Sequence, residues 1–277
     1  MRFRSPLAVL TIMLPRPLAV LRSLGAVLVL SLALVRPAAA VDYTDLWWNP
    51  NEAGWGVNFV QSNNFMFATF FIYGGDNKPT WVTANLTLAT NGVWSGPLYQ
   101  TTGTFYGNPW ITGQQTTTQV GSATFTPTGS FTGVLTYNVG GTNVAKSIQR
   151  QTLTTIPLGG NYSGAVLSTF SNCNDPNANG AQTSYANLTV TQNVGSTLQL
   201  DFDSDFGKCT IVGNYQQNGS LYSVPNAAYS CYSRSLTAQL SQVKSTAQGI
   251  EGTWTANVGS AYPGCVETAY FSLLFIF

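Results

Sequence analysis

The chain has 277 residues, of which only 8% are charged and 13% are aromatic. Five of the eleven basic residues precede position 41 and all ten acidic residues follow it, so residues 41–277 carry 6 − 10 = −4. A weakly acidic chain with few charges argues against nucleic acid or an anionic membrane surface as a partner. The aromatic content argues against disorder.

Residues 1–40 are predicted to be a signal peptide. Arg16 and Arg22 precede an apolar run at 23–35, and the run is followed by three alanines that end at Ala40. This order is typical of an export signal cleaved after an Ala-x-Ala site, here after Ala40. The run is shorter than the roughly 20 apolar residues that a spanning helix needs. The mature chain is therefore predicted to be periplasmic or extracellular, with either Met1 or Met13 as the true start.

Residues 41–156 are predicted to form a tryptophan-rich β-domain. Apolar and polar residues alternate in short segments separated by turn signals such as Asn63-Asn64 and Asn91-Gly92. This period of two is typical of half-buried strands. The predicted strands are 54–62, 64–73, 79–89, 93–101, 118–127, 131–139 and 143–152.

Residues 157–277 are predicted to form a second β-domain that contains all four cysteines. Pro157 and the pair Gly159-Gly160 mark the joint between the two domains. Sequential hairpins with uniformly short loops predict an all-β fold, with two small antiparallel up-and-down barrels or curved meanders. The predicted strands of this half are 161–170, 184–193, 196–204, 208–217, 220–224 with 228–235, 236–243, 248–257 and 265–276.

An even number of cysteines in an exported chain predicts two disulfides. Counting back from the Asn218-Gly219 turn places Cys209 almost opposite Cys231. Closure of a barrel would bring the first and last strands together, and with them Cys173 and Cys265. We therefore predict these two pairs, although the sequence alone allows three connectivities. The chain has no histidine and no Cys-x-x-Cys pair, so no metal and no other cofactor is predicted.

Several segments resemble a family of secreted Gram-negative bacterial proteins. The first is LWWNPNEAGWGVNF at 46–59, which is similar to a recurrent WWNPxExGWGxN module, and WSGPLYQTTGTFYG at 94–107 also fits this module. The segments CTIVGNYQQNG at 209–219 and YSC at 229–231 are similar to a four-cysteine β-domain that can follow it. The resemblance implies a β-rich exported protein and supplies no activity.

The tryptophan cluster of the first segment allows two interpretations. Trp47, Trp48 and Trp55 could form a stacking surface for a flat ligand such as a sugar. Alternatively, one of them fills the end of a small barrel. Adjacent residues of a strand point to opposite faces, so Trp47 and Trp48 cannot both share a site with Trp55. The second interpretation is favoured, because large aromatic side chains dominate core burial.

Glu52 also allows two interpretations. Next to three indoles its pKa could be raised by desolvation, so that it acts as an acid. Alternatively, it accepts backbone N–H bonds within its turn, which is favoured because no second carboxylate is placed for hydrolysis. Without histidine no nucleophile triad forms. The protein is therefore predicted to be non-catalytic, with a hydrolase as the least favoured alternative.

Two other segments, residues 201–205 and the last strand, each allow two interpretations. Asp201, Asp203 and Asp205 could bind calcium, but their alternation with apolar residues favours the polar face of a strand. The last strand, which ends at Phe277, carries the aromatic alternation of an outer-membrane barrel. Short strands and short loops favour instead a soluble barrel whose last strand is buried on both faces.

We predict an exported binding module for a neutral glycan or a protein partner. Six tryptophans and few charges in the first half support this prediction, since apolar sites with a few polar groups suit neutral ligands. An accessory structural protein of the cell envelope and an outer-membrane-associated barrel are the alternatives. The predicted ligand-binding residues are Trp47, Trp48, Asn49, Glu52, Trp55, Asn58, Trp81, Trp94 and Tyr99.

Overall fold

The chain folds into two antiparallel β-barrels, as predicted. A computed structural model describes residues 41–193, 195–205, 207–231, 234–259 and 264–276. The predicted signal peptide, the candidate starts Met1 and Met13, and Phe277 lie outside the described residues. No helix in the described ranges is long and apolar enough to cross a membrane.

The first barrel closes through a short strand that the sequence prediction missed. Strand β1 pairs with β2 on one side and with β8 on the other, and so joins the two ends of the meander. Its four residues are too few to show a period of two. The strands are β1 (Asp45–Trp48), β2 (Gly56–Ser62), β3 (Phe65–Tyr73), β4 (Pro79–Leu88), β5 (Trp94–Thr102), β6 (Thr116–Pro127), β7 (Thr132–Val139) and β8 (Thr142–Arg150).

Large aromatic side chains fill the core of the first barrel. Trp47 packs against Phe59 and Phe125 with ring centroids 5.8 and 5.2 Å apart, and its indole N–H donates to the carbonyl of Tyr43. Residues alternate along each strand, because successive side chains point to opposite sides of the barrel wall. The interpretation of a tryptophan that fills the barrel is thus confirmed for Trp47.

The second barrel is an eight-stranded wall with one interrupted strand. Its sheet runs from β12 through β9 and β17 to β13, and it closes because β12 also pairs with β14. A single turn of 3-10 helix, Pro176–Ala178, interrupts the hairpin between the first two strands. The strands are β9 (Gly160–Ser171), β10 (Gly180–Gln192), β11 (Thr197–Ser204), β12 (Gly207–Asn214), β13 (Gln216–Asn218), β14 (Leu221–Cys231), β15 (Arg234–Ser245), β16 (Gly249–Asn257) and β17 (Val266–Phe275).

Both predicted disulfides are confirmed. Cys209 on β12 lies directly opposite Cys231 on β14 and is bonded to it. Cys173, which follows β9, is bonded to Cys265, which precedes β17. Two disulfides indicate an oxidising, non-cytoplasmic compartment.

The last strand differs from the prediction. Strand β17 buries only one face: Phe271 and Leu273 point into the core, whereas Ser272 and Leu274 are exposed. The prediction of burial on both faces was wrong, because a single closed wall has one inner side. Phe271 and Leu273 therefore belong to the core of the second barrel, whereas Phe275 is 41% exposed.

The lower end of the first barrel rests on a turn of the second. The buried Arg150 guanidinium donates to Asp45, and Asp45 accepts hydrogen bonds from the backbone N–H and the hydroxyl of Ser220. Gly219 adopts φ +63°, and a Cβ there would lie 2.2 Å from a carboxylate oxygen of Asp45. The turn therefore needs glycine both for its conformation and for this close approach. The predicted boundary at 156/157 lies between β8 and β9 and stays a prediction.

Candidate functional site

The upper end of the first barrel, opposite the end that meets the Ser220 turn, carries the two longest loops of this barrel. The strands run alternately up and down, so the connections 49–55, 74–78, 103–115 and 140–141 all leave the barrel at its upper end. The opposite end meets the turn at Ser220. The segment singled out from the sequence, 46–59, therefore sits at this upper rim.

The loop 49–55 is built by its own polar side chains. The Asn49 side chain accepts from the backbone N–H of Asn51, and its carbonyl accepts from that of Glu52. Such Asx turns stabilise tight loops. The hydroxyl of Tyr73 donates to the carbonyl of Gly54 and attaches the loop to β3. Asn49, predicted to anchor a ligand, thus has a structural role in the turn.

Glu52 joins the same loop to strand β8. Its carboxylate accepts from the Trp55 indole at 3.0 Å and from Lys146 at 2.9 Å, and Lys146 lies 6.0 Å from the centre of the Trp55 ring. The pKa of the Glu52 carboxyl lies below its usual value, mainly because of the hydrogen bond from Lys146. Desolvation raises this pKa in part, and the hydrogen bond from Trp55 lowers it further.

Both interpretations of Glu52 drawn from the sequence need correction. A lowered pKa leaves the group ionised at neutral pH, which is the opposite of the raised pKa that an acid catalyst needs. Its carboxylate oxygens accept from an indole and an ammonium group, not from the backbone of the turn. The hydrogen bonds that Glu52 accepts from Trp55 and Lys146 hold the loop 49–55 against strand β8.

The predicted ligand-binding tryptophans fall into separate environments. Trp47 and Trp94 are 0% and 1% exposed, so neither can touch a ligand, and their assignment to a binding surface was wrong. Trp48 is half-buried on the outer side of β1, where it pairs with Gln149 of β8. Trp55 is half-buried at the rim. Of this set only Trp81, at 51%, is largely exposed.

Trp81 belongs to a large apolar surface on the outside of β2, β3 and β4. Phe71 of β3 lies directly opposite Trp81 of β4, and Phe67 of β3 lies directly opposite Val60 of β2. These exposed side chains are therefore neighbours on adjacent strands. Exposed apolar patches mark interaction sites on many proteins. We call this surface the aromatic face, and its members are Val60, Phe65, Phe67, Phe71, Tyr73 and Trp81, which are 39–54% exposed.

Polar but uncharged side chains lie among these rings. Asn58 and Thr69 face each other across β2 and β3, and Thr83 pairs with both Thr69 and Tyr99. Strands β2, β3 and β4 contain no charged residue. Two further predicted residues, Asn58 and Tyr99, therefore lie on the outer wall beside the aromatic face and are half-buried.

The loop 103–115 adds a second group of exposed rings at the upper rim. Phe105, Tyr106 and Trp110 are 61%, 95% and 66% exposed, and the first two rings pack with centroids 4.6 Å apart. The prediction of uniformly short loops was wrong here. The segment lacks charges. We call residues 103–115 the aromatic loop.

The aspartates of β11 line the outside of the second barrel. Asp201 accepts from Thr210 and Gln199, and Asp203 pairs with Lys208. The buried residues that alternate with them, Leu200 and Phe202, confirm the polar face of a strand. Within the described ranges no group of three or more acidic or cysteine side chains is placed to hold a metal ion.

The sequence contained a signal for the aromatic face that was not used. In FMFATFFIY, residues 65–73, both alternating sets are apolar, yet a barrel wall buries only one of them. The other set must therefore be exposed. The predicted ligand-binding residues were chosen around the tryptophans and therefore omitted Phe65, Phe67 and Phe71.

Comparisons of the chain with protein-family models, with curated proteins and with solved structures find no match. The resemblance to the secreted WWNPxExGWGxN proteins stays a prediction.

Proposed function

We propose that the first barrel is a binding module for a neutral polysaccharide, which lies along the aromatic face. The observation that carries this proposal is an exposed, uncharged surface of five aromatic rings and one valine on three adjacent strands. Exposing such a surface to water is unfavourable, at about 25 cal/mol per Å² of apolar area. A ligand that covers it recovers part of this free energy.

The chemistry of the face suits sugar rings. Aromatic side chains stack on flat apolar surfaces, and a pyranose presents such a surface ringed by hydroxyl groups. The amides of Asn58 and Asn85 and the hydroxyl of Thr83 lie on the same wall and can bond those hydroxyls. The absence of charge on the three strands favours a neutral chain over an acidic one.

The length of the face suits a polymer. From Phe65 to Tyr73 the outward residues of β3 extend about 27 Å, at roughly 3.4 Å per residue. The aromatic loop leaves the upper end of the barrel and adds Trp110 at the rim. Several consecutive sugar rings of one chain can therefore contact the protein at once.

Affinity electrophoresis in gels that contain neutral polysaccharides tests the proposal. We expect Trp81→Ala and Phe71→Ala each to weaken binding about tenfold, because aromatic contacts contribute about 1 kcal/mol or more beyond their buried area. Tyr185→Ala is the matched control, because Tyr185 is 56% exposed on the second barrel. Failure of every neutral polysaccharide to retard the protein, or an equal loss in the control, would overturn the proposal.

A second copy of the chain is the competing occupant. Sedimentation velocity distinguishes it: a dimer that Trp81→Ala dissociates would replace the glycan proposal with a self-association surface. We expect a monomer whose sedimentation coefficient Trp81→Ala leaves unchanged.

A further inference from the structure

The interior of the second barrel is incompletely filled. A cavity of about 200 Å³ lies at the end of the barrel that carries both disulfides, and it extends from buried residues of the interior to the exposed Gln182 and Arg234. Its apolar lining includes Phe202, Trp254 and Ala186, which are at most 5% exposed. Small eight-stranded barrels have interiors just wide enough for side chains or for one small ligand.

A carboxylate projects into this cavity. Glu267 on β17 is only 5% exposed, and it accepts hydrogen bonds from the Ser168 hydroxyl at 2.7 Å and the Tyr229 hydroxyl at 3.2 Å. Among the described residues no lysine or arginine forms an ion pair with it. A carboxylate has about four lone-pair sites, so two hydrogen bonds leave acceptor capacity for a ligand.

A buried carboxylate is costly unless an opposite charge or several hydrogen bonds compensate it. Three aromatic rings line the same cavity as Glu267: the ring centre of Trp254 lies 5.3 Å from that of Phe202 and 6.3 Å from that of Tyr229. Aromatic faces attract cations, and the attraction is larger where water is excluded. The cavity therefore combines the two features that proteins use to recognise an organic ammonium group.

We propose that the second barrel binds a small organic ammonium ion with an apolar body, whose charged head pairs with Glu267. An apolar cavity of about 150 Å³ accommodates benzene, so about 200 Å³ suits one aromatic ring with a short amine arm. Arg234 also lines the cavity, but its side chain is exposed, so water screens its charge far better than that of Glu267.

The disulfides support a preformed site. Cys209 and Cys231 both line the cavity and cross-link its wall, and Cys173–Cys265 joins the segments after β9 and before β17. A site that is already ordered loses less entropy when the ligand binds. The placement of two cross-links at the end of the barrel that holds the cavity is consistent with a binding role.

Titration with phenethylamine and with its neutral counterpart 2-phenylethanol tests the inference on the mature chain. Trp254 is the one tryptophan after residue 157, so its 5-fluorotryptophan NMR resonance, assigned with Trp254→Phe, reports on the cavity. We expect the amine to shift this resonance and to bind about tenfold more tightly than the alcohol. Absence of binding, or equal binding of both compounds, would overturn the inference.

Variants locate the interaction. Glu267→Gln keeps the shape of the side chain and should remove the preference for the amine. Asp203 is an exposed carboxylate on the outer wall, so Asp203→Asn should retain this preference. Ser184 lines the cavity, so Ser184→Leu fills part of it and should abolish binding of both compounds. If Ser184→Leu bound both compounds unchanged, the site would be contradicted, even if Glu267→Gln failed to fold. Trp81→Ala should leave amine binding unchanged, so this inference and the glycan proposal fail independently.

Discussion

The two barrels share one architecture and differ in which side of the wall carries apolar surface that the protein itself leaves uncovered. The first barrel has a core filled by Trp47, Trp94 and three phenylalanines, and its outer wall exposes the aromatic face. The second barrel exposes polar residues such as Asp203, but its interior holds a cavity with a carboxylate. The difference teaches that a small barrel can leave apolar surface uncovered either outside a packed core or around a cavity in its interior.

The largest effect that sharpens this comparison concerns two tryptophans of the same barrel. Trp47→Ala should lower the free energy of unfolding by about 3–5 kcal/mol, because it empties a packed core. Trp81→Ala should change it by only about 0.5 kcal/mol, because the side chain lies on the surface. Urea unfolding followed by circular dichroism measures both. Equal costs would show that Trp81 is a structural residue and not part of a binding surface.

The second effect distinguishes the barrels by their cross-links. Reduction of the disulfides should destabilise the second barrel by about 2–4 kcal/mol per bridge, whereas the first barrel contains no cysteine. Unfolding followed at the 5-fluorotryptophan resonance of Trp254 should move to lower urea, while that of Trp94 should stay nearly in place. A shift of the same size at Trp94 would mean that the two barrels unfold as one unit.

The third effect concerns the contact between the barrels. Gly219→Ala should cost about 1–3 kcal/mol for the left-handed backbone conformation alone, and more because the new methyl group meets Asp45. Gly195→Ala is a matched control, since Gly195 has φ +72° with open space around its Cβ position. The excess cost in Gly219→Ala measures the contact. Equal costs would show that the turn does not depend on Asp45.

The smallest effect depends on pH. Burial raises the pKa of the Asp42 carboxyl. Hydrogen bonds from Thr44 and Lys244 lower this pKa by more than burial raises it, so the net pKa lies below 3.8. Burial lowers the pKa of Lys244, but its bonds to Glu251 and Asp42 raise it above 10.5.

The sign of the pH dependence follows from these directions. A lowered carboxyl pKa contributes stability that is full above 3.8 and is lost as the pH falls through the folded pKa. A raised lysine pKa contributes stability that is full below 10.5 and is lost above it. Asp42→Asn should therefore flatten the acid limb of the unfolding midpoint below pH 3.8, where the pH falls toward the folded pKa of Asp42. An unchanged acid limb would show that other groups control it.

Most of the fold could be predicted because its signals are local. Alternation located the long strands, and counting back from the turn after Asn218 placed Cys209 nearly opposite Cys231, within the one-residue register change between β13 and β12. Strand β1 was missed because it is held by two neighbours distant in sequence and not by its own pattern.

The candidate sites were harder to predict because they depend on which face of a strand is outside. Residues 65–73 are apolar on both faces, so alternation could not orient them. Glu267 shares its face with Cys265, Ala269 and Phe271, a pattern that predicts burial, but the cavity beside it results from packing across eight strands. No local segment contains that information.

The most direct test is the NMR spectrum of the 5-fluorotryptophan-labelled chain during titration with a neutral polysaccharide. We expect the Trp81 resonance to shift and the resonances of Trp47, Trp94 and Trp254 to stay in place, because of these four only Trp81 lies on the aromatic face. A bound polysaccharide that leaves Trp81 unchanged, or that perturbs the buried tryptophans alone, would contradict the account.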